Sequence, residues 1–311
     1  MRILLIASFS IALLVSSVSA GSECLENAKV VEPTLSKEAE KTYTENLEKA
    51  RAAHKASPDD PDTVIWLGRR TAYLGKYKEA ISIYTDGIAK FPKDARFYRH
   101  RGHRFISIRC FDDAVRDLEK AGQLVKGTKD EVEPDGLPNA KNIPTSTLQS
   151  NVWYHLGLAY YLKGDFENSL KAYKKCLKVS KNPDMLVATQ NWHYLTLRKL
   201  GRLEDSIRVL KSIKDDLDII ENDSYYKLLK LYQGKINVID LFTEIGGGDD
   251  LGNATVGYGI GNWLMINGEK EKAETIFRKI LETDQWSSFG YIAAEAELGR
   301  LLMKRSTRYF R

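Results

Sequence analysis

The stretch WYHLGLAYYLKGDFENSLKAYKKCLKVSKNP, residues 153–183, decides how the rest of the chain is read. Trp153, Leu156, Gly157 and Tyr160 recur at the three- and four-residue steps of one helix face, and Ser169, Tyr173 and Cys176 repeat the pattern further on. Gly164 stands between the two runs with Phe166 just after it, so the pattern predicts two amphipathic helices joined by a short glycine-centred turn. Large residues fall on the facing sides and small ones where the backbones come close. One such pair cannot bury its own apolar face, so the motif predicts neighbours of the same kind.

Those neighbours are present on both sides. Before it, Leu67, Gly68, Gly75, Tyr77, Ala80, Tyr84 and Pro92 fall at matching separations, and Gly102 follows Gly68 at 34 residues, with Phe105, Phe111, Ala114, Leu118 and Ala121 continuing the series. After it, the turn glycines Gly164, Gly201, Gly234 and Gly268 keep nearly the same period. The pattern departs at Arg101, where a Leu is expected, and at Arg109, where the turn glycine is expected, so this second pair is expected to pack less tightly. Residues 126–147 interrupt the period with Gly127, Pro134, Gly136, Pro138 and Pro144 and read as a long surface loop, either a tolerated insertion or a lid. A helix over 36–56 precedes the array, and one running from Phe289 to Met303 is expected to cap its open end.

This pattern resembles the tetratricopeptide repeat (TPR), whose helix–turn–helix units repeat every 34 residues. The resemblance covers most of 36–303 and implies an all-α fold: a right-handed α-solenoid of about six repeats with capping helices at both ends. It implies a protein or peptide partner bound on a concave face lined by the first helix of each pair, without choosing that partner. Projected onto that geometry, the concave face carries Ile65, Trp66, Arg69 and Tyr73, then Arg96, Arg99, His100 and His103. Asn151, Tyr154, His155 and Tyr161 come from the third unit, and Asn191, Trp192 and Arg198 from the fourth. A groove so lined is basic and aromatic. Arginines suit bidentate capture of carboxylates, Asn side chains can hold a peptide backbone, and Trp and Tyr give rigid apolar contact. Some TPR domains grip a terminal carboxylate with a Lys/Asn clamp; Arg69, Arg99 and Asn151 match it in chemistry and not position by position. The expected ligand is therefore an extended acidic or carboxylate-ended segment.

At 311 residues, with 43% hydrophobic and 29% charged residues, the chain has length enough for a substantial core. Residues 1–20 read as a secretory signal peptide: Arg2 is their only charge, an apolar run follows, and Val18-Ser19-Ala20 supplies a small-residue cleavage site. The alternative, an uncleaved anchor, has an apolar run short for a membrane span. Gly21-Ser22-Glu23 before Cys24 does not fit a lipidation signal. Residues 21–35 read as a flexible lead-in and 304–311 as a basic tail. Without the leader, 46 Lys and Arg stand against 42 Asp and Glu, a net charge of +4 too small to argue for nucleic acid. The expected location is thus exported, periplasmic or secreted, with no membrane span after cleavage. Cys24, Cys110 and Cys176 permit at most one internal disulfide, and Cys176 fits a small core position.

No catalytic motif, cofactor site or metal site is expected. Gly-x-Ser-x-Gly, a phosphate loop, His-Glu-x-x-His and Cys-x-x-Cys are all missing from the sequence. His100 and His103 lie three apart but have arginines around them and no carboxylate at ligand spacing. Gly246–Asn253 resembles a calcium loop in composition only, and Asn222 and Asn253 sit in glycosylation sequons. Two other functions remain: an oligomerising envelope subunit using Gly257, Gly259 and Gly261, and, resting only on the histidines and the Asp-rich loop, a hydrolase or metal enzyme.

Overall fold

In a computed structural model of the chain, helix ends fall where capping side chains and left-handed turns place them. The backbone is described for residues 22–245 and 250–309, and the side chains for 22–241 and 254–303. The leader, its cleavage site and the Gly246–Asn253 side chains lie outside these residues. Fifteen helices occur among the described residues. α1 (Glu23–Asn27) and α2 (Lys37–Ala56) precede six pairs: α3 (Pro61–Tyr73) with α4 (Tyr77–Lys90), α5 (Ala95–Ser107) with α6 (Phe111–Leu124), and α7 (Leu148–Lys163) with α8 (Phe166–Val179). The next are α9 (Pro183–Lys199) with α10 (Leu203–Lys211), α11 (Asp223–Tyr232) with α12 (Val238–Ile245), and α13 (Asp250–Ile266) with α14 (Lys270–Leu281). α15 (Phe289–Tyr309) ends the array, and the all-α solenoid of repeats is as the resemblance implies.

The side-chain oxygens of Asp60, Asp94 and Asn182 accept from the N–H groups of Asp62 (2.9 Å), Arg96 (3.0 Å) and Met185 (2.9 Å), starting α3, α5 and α9. Thr147 and Ser150 form a reciprocal capping box on α7. In three of the six pairs a glycine on the first helix meets an aromatic ring on the second. A Cβ at Gly157 would lie 2.6 Å from the Tyr173 ring, so only glycine lets the helices approach this closely. Gly68 against Tyr84 and Gly261 against Phe277 repeat the device.

The second pair corrects the expectation of looser packing. Arg109 adopts φ +66° at the turn position where Gly75, Gly164, Gly201, Gly234 and Gly268 also have positive φ. A side chain there costs about 1–2 kcal/mol. Its guanidinium offsets that cost: it lies 3.8 Å from the Trp286 ring centroid and donates to Trp286 O (2.8 Å) and Glu295 Oε2 (2.8 Å). Arg101, the other departure, spans the pair through Asp117 (2.6 and 2.8 Å) and reaches Thr85 of α4 (2.9 Å).

The two ends fold back onto the array. Cys24 and Cys110 form a disulfide with Cα atoms 5.7 Å apart, and Cys176 is free and buried. Lys78 Nζ donates to Glu26 O (3.2 Å), and Pro33 packs against Gly75. A covalent bond and apolar packing therefore hold the lead-in at 22–35, expected to be loose, against the array. α15 does more than cap an open end. Arg300 Nη1 donates to Leu162 O of α7 (3.0 Å), and the buried Glu297 pairs with Lys199 of α9 (2.8 Å) and with Arg300 (2.9 Å). Its backbone stays helical to Tyr309, through most of the expected tail. Gly257, Gly259 and Gly261 face Ile280, Leu228 and Phe277 of the same chain, so the face expected to oligomerise is an internal packing surface. No helix among the described residues is long and apolar enough to cross a membrane.

Candidate functional site

The first helices α3, α5 and α7 turn their arginines and Asn151 toward a common interior, and the insertion at 126–147 enters it. Its base is fixed by an antiparallel bridge between Val132 and Thr147, by Glu133 N donating to Ser146 O (3.2 Å) and by Leu148 N donating to Glu131 O (2.8 Å). Asp130 adds bonds from Thr147 Oγ1 (2.7 Å) and Gln149 N (3.0 Å). Beyond this base the chain runs across the concave face from Glu133 to Gly136.

That run is gripped residue by residue. Arg69 Nη1 donates to Pro134 O (2.8 Å) and Arg70 Nη1 to Gly136 O (2.8 Å). Both guanidiniums stack on Trp66, at 4.5 and 4.8 Å. Arg99 Nη2 pairs with Glu133 Oε1 at 3.0 Å, and Asn151 Nδ2 donates to Glu133 Oε2 at 3.1 Å. Removing one partner of so buried a charge pair leaves the other uncompensated, so these contacts specify position as well as attraction. A Cβ at Gly136 would fall 1.6 Å from Tyr73 Oη and 2.8 Å from Arg69 Nη2. A side chain there would displace the Tyr73 hydroxyl and the Arg69 guanidinium.

The histidines contribute no charge. Burial, then the nearby Arg99, holds His100 well below the usual histidine range. Burial and Arg104 do the same to His103, and burial and Arg99 to His155. Uncharged, His100 stacks on Tyr84 (5.5 Å) and shares a hydrogen bond with Arg99 Nη1 (3.0 Å), while the His103 and His155 rings sit 4.3 Å apart against Phe289. The cation share of the groove belongs to arginine alone.

Several expected groove residues lie elsewhere. Arg96 pairs with Asp94 (2.6 Å) and Asp62 (2.6 Å) at the start of its helix, away from the insertion, because capping carboxylates stand beside it. Trp192 and Tyr161 are core: Trp192 is 1% exposed, meets Tyr161 edge-on at 5.2 Å and stacks on Tyr258 at 5.6 Å. Tyr161 Oη bonds with Tyr258 Oη (2.7 Å) and accepts from Asn262 Nδ2 (2.8 Å), which closes α7 onto α13. Asn191 is buried, and Arg198 donates to Tyr194 Oη of its own helix (3.1 Å). Ile65 is also core. A groove drawn on one repeat pair cannot show that the array closes on itself and buries the later first helices on both sides.

What remains of the concave space is a cavity of about 670 Å³. Tyr73, Arg99, His103, Asn151, Tyr154 and His155 line it, as projected. The walls that projection missed come from other segments: Pro33 and Leu35, Asp135 and Leu137, Glu221, Asn222, Ser224 and Tyr225, and Ser288 with Phe289. Buried Asp184 holds one of them by accepting from the N–H groups of Ile220, Glu221 and Asn222 at 2.8–3.1 Å. Arg104 also lines the cavity. It stands one helical turn beyond His100, a spacing that would have placed it. Burial and the neighbouring Glu221 push the Asp135 carboxyl up from its usual range, and its Oδ2 is buried without a hydrogen bond. Among the described residues, the metal-like group Cys24, Cys110 and Asp113 has both sulfurs joined in the disulfide.

Comparison with known proteins agrees with the repeat geometry. Residues 150–183 match the family model described as tetratricopeptide repeat. The chain is 27% identical over 141 residues to BBSome complex member BBS4 of Bos taurus, which covers 45% of this chain and 23% of that protein. It is 24% identical over 194 residues to the small glutamine-rich tetratricopeptide repeat-containing protein 2 of Saccharomyces cerevisiae, covering 62% and 48%. The chain thus spans less than half the length of either relative. Among solved structures, a tetratricopeptide repeat protein from Parabacteroides merdae ATCC 43184 aligns at TM-score 0.49 and 16% identity over 82% of this chain and 93% of that one. YrrB, described as a TPR protein with an unusual peptide-binding site, aligns at TM-score 0.43 and 14% identity over 81% and 98%. The chain carries a tetratricopeptide repeat at residues 150–183, within an all-α solenoid of helix pairs.

Proposed function

We propose that this chain is a non-enzymatic protein-interaction scaffold that takes an extended acidic segment of a partner protein on the arginine-bearing part of its concave face. One observation supports the reading above the rest: that face already holds such a segment, Glu133–Gly136, through Arg69, Arg70, Arg99 and Asn151. Backbone carbonyls are held by guanidiniums, and a carboxylate by a guanidinium and an amide. This is recognition of chain direction plus one acidic side chain, which an external segment of the same chemistry reproduces. Because the resident segment is covalently attached, its effective concentration is high and a partner must compete with it. Export fits the Cys24–Cys110 disulfide, which forms in oxidising compartments.

The test uses a labelled peptide of residues 130–139 and a variant whose residues 132–143 are replaced by a Gly/Ser linker. The peptide should bind this variant at least about tenfold tighter than the intact chain. Changing its Glu133 equivalent to Gln, or Arg69 and Arg99 of the protein to Gln, should remove the gain. Equal binding by the intact chain and the variant, or none by either, would sink the reading.

A further inference from the structure

The cavity under the insertion carries two unsatisfied charges of opposite sign. Arg104 has no hydrogen bond or ion pair from its guanidinium among the described residues and lies 5.5 Å from the Tyr77 ring centroid. Among the described residues, Asp135, contributed by the insertion, keeps a buried Oδ2 without a partner, and the exposed Glu221 adds a second carboxylate bonded by the neutral Thr145 hydroxyl and Asn139 amide. Charges partly withdrawn from water gain from being paired. Here the counter-charges are missing on both sides while the space between is open, and the rings of Tyr77, Tyr154 and Phe289 line it.

We propose that this cavity is a binding site for a small zwitterion, a molecule with a carboxylate and an ammonium on an apolar body, as in free aromatic amino acids and dipeptides. The carboxylate meets Arg104; the ammonium meets Asp135 and Glu221; the apolar body lies against Phe289 and Tyr154. A volume of about 670 Å³ falls within the 300–1,000 Å³ range of small-ligand pockets. A monoanion would leave the acidic end unpaired and a monocation the Arg104 end, so the arrangement selects for both charges together. The shift of Asp135 toward its protonated form is what a bound ammonium would reverse. The site needs the insertion in place and so does not depend on the peptide reading above.

Calorimetric titration of the intact chain separates the classes with four probes: glycyl-L-phenylalanine, L-phenylalanine, 3-phenylpropionate and phenethylamine. One of the two zwitterions should bind at least about tenfold tighter than both singly charged probes. Arg104→Gln and Asp135→Asn should each weaken that zwitterion about tenfold, and Arg104→Lys should weaken it less, with melting curves checking that each variant folds. Binding of 3-phenylpropionate or phenethylamine as tight as that of the zwitterions overturns the proposal. So does the lack of any zwitterion binding at about 10 mM. Both outcomes are read on the unsubstituted chain, so a variant that fails to fold does not block the test.

Discussion

The first three helix pairs and the last three turn the same helix toward the same interior and fill it by opposite means. α3, α5 and α7 present arginines and Asn151, which require polar partners, and an acidic insertion supplies them. α9 and α13 present Trp192, Tyr258 and Asn262, which pack on Tyr161 of α7. A repeat backbone therefore sets which helix faces inward, while the side chains on that face decide whether the space receives a segment or collapses. The aromatic half gains from burial and needs no added segment. The arginine half is held by matched charges, and such a contact is undone by removing one partner.

The comparison breaks most visibly at its aromatic centre. Trp192→Ala removes the largest fully buried side chain and its Nε1 bond to Tyr154 Oη (2.9 Å), and should cost about 5 kcal/mol in urea unfolding. Acid should act chiefly on the other half. His100, His103 and His155 have folded pKa values well below the ordinary 6.5. Above pH 6.5 they leave stability unchanged; below it the unfolded chain takes up protons that the folded chain refuses, so stability falls as pH drops. With all three neutral in the fold the slope approaches about 4 kcal/mol per pH unit. His193, lowered to about 4 by burial, adds one further group outside the arginine half over the window from 6.5 to 4. Melting temperatures between pH 7.5 and 5.5 check this, and a flat profile would contradict neutral burial.

Smaller effects sharpen the contrast. Glu133→Gln should cost about 2 kcal/mol, the scale of a hydrogen bond to a charged group. It should raise amide exchange in 130–147 while leaving α13 protected, so equal rises in both would erase the distinction between the halves. Arg109→Ala loses the clasp on Trp286 and Glu295 and keeps the left-handed strain, whereas Arg109→Gly loses the clasp and relieves it. The glycine variant should be the more stable of the two by about 1 kcal/mol in chemical denaturation.

Much of this was legible in residue spacing. The turn glycines and the small residues that let Gly157 approach Tyr173 are local, so their positions along the chain carry them. The resemblance to the repeat family also implied that Arg69, Arg99 and Asn151 share one face, because it says which helix of each pair turns inward. It did not separate Trp192 and Tyr161 from groove residues, since an inward side chain is a wall or a core residue depending on what stands opposite. What stands opposite Tyr161 is Tyr258, 97 residues away. Arg109 was visible as a departure from the turn pattern, but its reason lay with Trp286, 177 residues on.

The amino-acid sequence by itself determined the repeat, its period and its interruption at 126–147, all consequences of short-range periodicity and turn chemistry; the basic, aromatic inward face followed from the family resemblance those features carry. Only the tertiary structure decided where the interruption goes, that the lead-in is bound through Cys24 and Cys110, and that α15 returns to α7. These depend on pairings between distant segments, which burial and charge matching select and local periodicity does not encode.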